Sequence, residues 1–186
     1  MGNKTGTEKE LKFRDVELDA LRQRLQELAA ERSGPGSFEE NWIFDRKGEL
    51  NKAGRVLRLR KDTNGASLTL KGPSVFEGRV KVREEHETEV GDADTAKALL
   101  EGLGYRLVKR YQKVREEWRL GGVIIALDHT PIGDFAEFEG EAADRVARRC
   151  GFEPEAAERR SYLRLYEDHR KANPEAPEDM LFPDRA

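Results

Sequence analysis

The sequence predicts an α+β fold: about seven or eight mostly antiparallel strands that tend to close into a β-barrel with a charged lumen, and three or four flanking helices. Three observations lead there. Segment after segment alternates apolar with charged residues at the two-residue period of a strand. Turn signals such as Asp62-Thr63-Asn64-Gly65 and Gly121-Gly122 join these segments into antiparallel pairs. Helices with apolar stripes are available to cover the apolar faces from outside, and that many antiparallel strands tend to close.

The elements follow in order. In EKELKF (8–13), Lys9, Leu11 and Phe13 share one strand face and Glu8, Glu10 and Lys12 the other. Residues 15–32 carry Val16, Leu18, Leu21, Leu25, Leu28 and Ala29 at helical spacing, with Asp15 as N-cap, and SGPGS ends that helix. NWIFD (41–45) reads as a strand. VLRLRK and SLTLKG then form a hairpin, Leu57, Leu59, Leu68 and Leu70 on one face and Arg58, Arg60, Ser67, Thr69 and Lys71 on the other. Residues 80–90 are a long strand with Lys81, Arg83, Glu85, Glu87 and Glu89 on one face, and residues 92–103 a capped helix. The run 105–120, Gly121-Gly122 and VIIALD make a second hairpin. DFAEFEG sets Phe135, Glu137 and Glu139 against Ala136 and Phe138. Residues 141–167 are helical, broken by Gly151 and Pro154. One domain therefore spans 8–167, with tails at 1–7 and 168–186 and no role assigned beyond Asn173.

Composition narrows the function. Charged residues make up 38% of 186, yet 34 basic and 37 acidic residues leave a formal charge of −3. That excludes a general nucleic-acid or membrane binder, which would be basic overall. A single cysteine, Cys150, excludes an internal disulfide and a multi-cysteine zinc site, and the three histidines, His86, His129 and His169, show no metal-ligand spacing. Any metal would be a hard cation held by carboxylates. Gly2 lacks the Ser or Thr that myristoylation needs, because Gly6 stands there. With no signal peptide and no stretch of transmembrane length, a soluble, cytoplasmic chain is expected.

The charged faces carry the chemistry. Arg58 with Arg60, and Glu137 with Glu139, are like-charge neighbours on one face, which repel unless an opposite charge lies between them. A lumen lined with bases and several carboxylates is tolerable when it takes a polyanion together with divalent cations. Arg forks and Lys ammonium groups bind phosphoryl groups, and carboxylate pairs hold Mg²⁺ or Mn²⁺. Trp42, Trp118 and Cys150 read as packing residues, and His86 faces away from the lumen.

Glu8-x-Glu10-x-Lys12 resembles the ExExK signature of the CYTH superfamily, the triphosphate tunnel metalloenzymes that include class IV adenylate cyclases and thiamine triphosphatases. Further elements follow in that family's order: Phe44-Asp45, LRLR with Arg58 and Arg60, LTLKGP with Lys71, and Arg83-x-Glu85-x-Glu87. Then come Lys113-x-Arg115, Leu127-Asp128, IGDFAEFEG with Glu137 and Glu139, and RSYLRLY. The resemblance covers residues 8–167. It implies an eight-stranded antiparallel β-barrel, a tunnel that binds a triphosphate with Mg²⁺ or Mn²⁺. Glu8, Glu10, Glu137, Glu139 and Asp128 would be metal ligands. Lys12, Arg58, Arg60, Lys71, Arg83, Lys113 and Arg115 would grip phosphates, and Glu85, Glu87 and Lys71 would act in the reaction.

Two reactions share this machinery: cyclisation of ATP to cyclic AMP and pyrophosphate, and hydrolysis of an inorganic or organic triphosphate. Some class IV cyclases carry a His-Phe pair before ExExK where this chain has GNKTGT, and the thiamine triphosphatase branch uses a tyrosine near the FD segment where this chain has NWIFD. The overall layout is most similar to class IV cyclases, which sets the leading expectation. A binding module without turnover is the remaining alternative. The implied partner is a triphosphate small molecule, with no nucleic acid and no membrane, and the reading is compatible with a homodimer.

Overall fold

A computed structural model describes residues 4–183. Gly2 lies outside the described residues. The strands are β1 (Lys4–Arg14), β2 (Glu31–Arg32), β3 (Ser37–Asp45), β4 (Val56–Asp62), β5 (Gly65–Lys71), β6 (Val75–Glu77), β7 (Val80–Val90), β8 (Arg106–Leu120), β9 (Val123–Thr130) and β10 (Gly133–Glu139). The helices are α1 (Leu18–Glu27), α2 (Glu49–Lys52), α3 (Ala93–Gly102), α4 (Ala143–Arg149) and α5 (Tyr162–Ala172). Eight strands pair antiparallel in the order β1-β10-β9-β8-β3-β4-β5-β7, and β7 returns to β1. The sheet is thereby a closed barrel, which leaves no unpaired edge. The short β2 and β6 are appended to β8 and β7.

Closure sorts the alternating residues. Leu11 and Phe13 of β1 point outward into a core with Ile125, Leu127, Ala136 and Phe138, covered by Leu21 and Leu25 of α1 and Val146 and Ala147 of α4. Trp118 and Cys150 join this core. On the opposite wall Leu57, Leu59 and Phe44 pack under Ala93, Ala96 and Leu100 of α3, with Trp42 partly buried at its margin. The Asp92 side chain caps α3 by accepting from the Thr95 amide at 2.7 Å. Gly65 adopts φ +141° in the β4–β5 turn, a conformation that side chains rarely take.

Three local expectations are corrected. Asp15 is not the cap of α1: it sits at φ +57°, turning the chain out of β1, and Glu17 precedes the helix. The helix also stops at Glu27, because Ala29 turns left-handed and Glu31 and Arg32 then pair with β8. β3 begins at Ser37 rather than Asn41, since its first residues find partners along the long β8.

The stretch after Asn173 packs as well. Met180 is fully buried among Tyr111, Tyr162, Leu165 and Tyr166. Its backbone pairs beside β8, with Met180 N donating to Arg110 O at 3.1 Å and Gln112 N donating to Met180 O at 2.9 Å. The Tyr166 hydroxyl donates to the carbonyls of Pro177 and Asp179. A polar, proline-rich composition reads as a tail, and one methionine in a hole made by distant elements is invisible to it. Met180→Ala should cost about 2–5 kcal/mol, the range for emptying a buried methionine site. Urea unfolding measures this, and a loss below about 1 kcal/mol would mean the segment contributes little.

Candidate functional site: the charged lumen

Inward alternation concentrates charge in one cavity of about 390 Å³. Nine carboxylates and nine Lys or Arg side chains line it. From β1 the inward residues are Glu8, Glu10 and Lys12, each under a tenth exposed. Lys9, on the other face, reaches outward to Glu141 at 2.8 Å. The coherent charged face of the opening strand therefore lies against a tunnel and not bulk water.

The lumen's acids and bases are paired across strands. Glu8 receives Lys71 at 2.9 Å and Arg83 at 3.2 Å. Lys71 also lies 3.1 Å from Glu85. Glu10 receives Lys81 at 2.6 Å, and Glu137 receives Lys12 at 3.2 Å as well as Arg115. Glu87 faces Arg58 at 3.3 Å and Arg60 at 3.4 Å and accepts from the Thr69 hydroxyl at 2.7 Å. Register explains the adjacency: Glu10 opposes Glu139 and Lys12 opposes Glu137 across β1 and β10.

This field shifts protonation. Burial would raise Glu137, but Lys12, Arg115 and Lys113 hold it well below the usual carboxylate range. Burial would lower Lys12, and Glu137 and Glu10 raise it instead. Burial lowers Lys81, helped by Arg83 and Lys12 against the pull of Glu10. Glu87 is lowered too, because Arg60, Thr69 and Arg58 outweigh its burial.

Of the residues expected from sequence, Glu8, Glu10, Lys12, Arg58, Arg60, Lys71, Arg83, Glu85, Glu87, Lys113, Arg115, Glu137 and Glu139 all line this cavity. Asp128 does not. It lies on the inward face of β9 but is covered, with no exposed surface, and its carboxylate accepts from Lys113 at 3.0 Å, from Arg115 at 2.7 and 2.6 Å, and from the Tyr162 hydroxyl at 2.7 Å.

Sequence reasoning missed several lumen residues, four of which bear directly on the site. Lys81 shares the inward face of β7 but lies outside the recognised motif. Glu39 precedes the strand as the sequence drew it, so its alternation with Asn41 and Ile43 went unread. Tyr111 lies between Arg58 and Lys113, which lower its hydroxyl against the effect of burial. Tyr162 opens α5, and Ser161, Tyr162 and Leu163 line the cavity at the end where Ile43, Val56 and Tyr111 lie. Lys12 Nζ sits 4.1 Å from the Tyr162 ring centroid. Burial, Asp128 and Glu137 push the Tyr162 hydroxyl well above its ordinary value, so it remains a donor. The opposite mouth is framed by Ser33, Gly34 and Pro35, by Asp62 and Asn64 of the β4–β5 hairpin, and by Glu117 and Arg119.

Among the described residues no three His, Cys, Asp or Glu side chains stand together at metal-binding spacing, and Glu8 and Glu10 are instead held by Lys71 and Lys81. Among the described residues, too, no helix is long and apolar enough to cross a membrane.

The same fold occurs in solved structures. A protein of Pyrococcus horikoshii, PH1819, is 30% identical over 88% of this chain and 99% of its own, with a TM-score of 0.74. A structure described as a putative adenylate cyclase from Vibrio parahaemolyticus shares the fold at 24% identity and a TM-score of 0.78, over 88% of this chain and 99% of that one. A curated relative, "Putative adenylate cyclase MJ0240" of Methanocaldococcus jannaschii, is 27% identical over 111 residues, which span 58% of this chain and 62% of the relative. The CYTH domain family matches residues 6–165, nearly the whole barrel with α4 and the start of α5. A closed tunnel, its inward charge and this match agree: the chain belongs to the CYTH domain family.

Proposed function

We propose that this protein is a divalent-metal-dependent enzyme that binds a triphosphate in its tunnel, with conversion of ATP to cyclic AMP and pyrophosphate as the leading reaction. The observation that supports it is the lumen's charge balance, nine acids against nine bases in one buried cavity. A polyanion entering alone would upset that balance, whereas a polyanion entering with divalent cations preserves it. The bases then exchange carboxylate for phosphate, and the released carboxylates exchange ammonium and guanidinium for metal.

The donor set fits Mg²⁺ or Mn²⁺: Glu8, Glu10, Glu137 and Glu139 are hard oxygen donors on two paired strands facing one cavity. These four would hold the metal, which supplies neutralisation of charge on the phosphate oxygens when bound. Lys12, Lys71, Arg83, Lys113 and Arg115 would bind the phosphates, with Arg58 and Arg60 on the facing wall. Glu85 and Glu87 would orient the attacking hydroxyl or water, and Lys71 would stabilise the leaving oxygen. Asp128, buried beneath its three donors, would hold Lys113 and Arg115 in position. The name of the Methanocaldococcus relative supports the cyclase reaction.

One observation favours hydrolysis as the second reading. Among the described residues the aromatic side chains lining the cavity are Tyr111 and Tyr162, both at the α5 end, so the mouth offers no stacking platform for a base. A product assay decides between the two. ATP and, separately, inorganic tripolyphosphate are supplied with Mg²⁺ or Mn²⁺ and the products resolved. The expected result is cyclic AMP with pyrophosphate. Orthophosphate without cyclic nucleotide would transfer the site to hydrolysis, and no product from either substrate would leave a binding module.

A further inference from the structure

Glu39 has no part in the reading above, yet it stands at the centre of the basic wall. It projects inward from β3, 3% exposed, against Arg60 at 3.6 Å, Lys113 at 3.6 Å and Arg115 at 3.9 Å. These separations are charge contacts too long to be hydrogen bonds. Glu39 Oε2 makes no hydrogen bond, and neither do the buried Nε atoms of Arg58 and Arg60 nearby. An acceptor and two donors, all buried, thus keep unused hydrogen-bonding capacity on one wall. Buried polar atoms are normally paired, so these three can take a further polar group.

We propose that Glu39 is a built-in stand-in for a substrate phosphate: it holds Arg58, Arg60, Lys113 and Arg115 apart and aimed at one point while the tunnel is empty, and it opposes every anion that then enters. The inference rests on the triphosphate reading of the tunnel. Four cations on one wall repel one another, and a carboxylate among them offsets that repulsion without closing onto any one of them. Burial would raise the Glu39 carboxyl, but Lys113, Arg115 and Arg60 pull it down to about 2, so the charge is present at any working pH. Its hydrogen-bonding capacity is left unused, so a phosphate oxygen can take the Arg58 and Arg60 Nε donors without breaking an existing bond. The standing negative charge also weakens anion binding, which keeps a product such as pyrophosphate from lodging on the wall. Glu39 is thus a positioning residue with a role in release.

The test uses Glu39→Gln and Glu39→Asp, with calorimetric titration of inorganic tripolyphosphate in the presence of a chelator. Glu39→Gln should bind tripolyphosphate about tenfold more tightly than wild type, the effect of removing one close like charge. Glu39→Asp, which keeps the charge, should bind as wild type does. A purely structural residue would give equal or weaker binding in both variants, and that result overturns the proposal. Thermal melts add a second readout: the ligand-free Glu39→Gln protein should melt lower, and tripolyphosphate should raise its midpoint by more than it raises that of wild type. If Glu39→Gln does not fold alone, tripolyphosphate should restore folding, and failure to do so overturns the proposal. Wild-type protein that binds no tripolyphosphate even with Mg²⁺ present would instead overturn the tunnel reading itself.

Discussion

Glu10→Gln should lower metal-dependent turnover by a factor of about a hundred to a thousand without weakening tripolyphosphate binding in chelator. Glu10 is 8% exposed on the inward face of β1, directly opposite Glu139 on β10. It accepts from the Lys81 ammonium at 2.6 Å, a cation that a phosphate can draw away. Gln keeps the shape and one oxygen but removes the charge on which a hard cation depends. The phosphate-binding bases stay, and Lys81, relieved of its carboxylate, adds to them. Initial rates across a Mg²⁺ titration, paired with calorimetry, measure both halves. Turnover that survives with unchanged metal dependence would remove Glu10 from the metal site.

Asp128→Ala should destabilise the protein by about 3–5 kcal/mol, the cost of stripping one partner from a buried ion pair. No part of Asp128 reaches solvent, and its two oxygens accept from Lys113, Arg115 and Tyr162. Without it two cations on adjacent inward positions of β8 face each other across a tyrosine hydroxyl that has lost its acceptor. For a chain of this length the melting midpoint should fall by roughly 6–20 °C. Because Tyr162 opens α5, the end of the barrel closed by that helix should loosen first, read as faster amide exchange in 162–172 than in α3. A loss below about 1 kcal/mol would show that Asp128 is not the anchor of this wall.

The legibility of the site follows from strand periodicity. Thirteen of the expected residues line the cavity because the period of two, once the barrel closes, sends every second side chain inward. Glu39 escaped because the strand holding it was drawn four residues too short, and a strand's face cannot be read beyond its end. Tyr162 escaped for a different reason. It reaches the lumen from a helix, by a contact between segments 34 residues apart in the chain. Asp128 sat in a recognised motif and on the inward face, but the three donors around it come from β8 and α5 and were not visible in its neighbours.

By itself, then, the sequence determined the class of fold, the alternation that separates core from lumen, and the composition of the charged wall, since each depends on residues near one another in the chain. The tertiary structure alone decided which acid meets which base, that Asp128 is buried beneath its three donors, that α5 closes one end, and that Met180 anchors the last segment. The physical reason is that pairing in a closed barrel depends on strand register and on elements docked from outside, and neither is encoded in the local spacing of side chains.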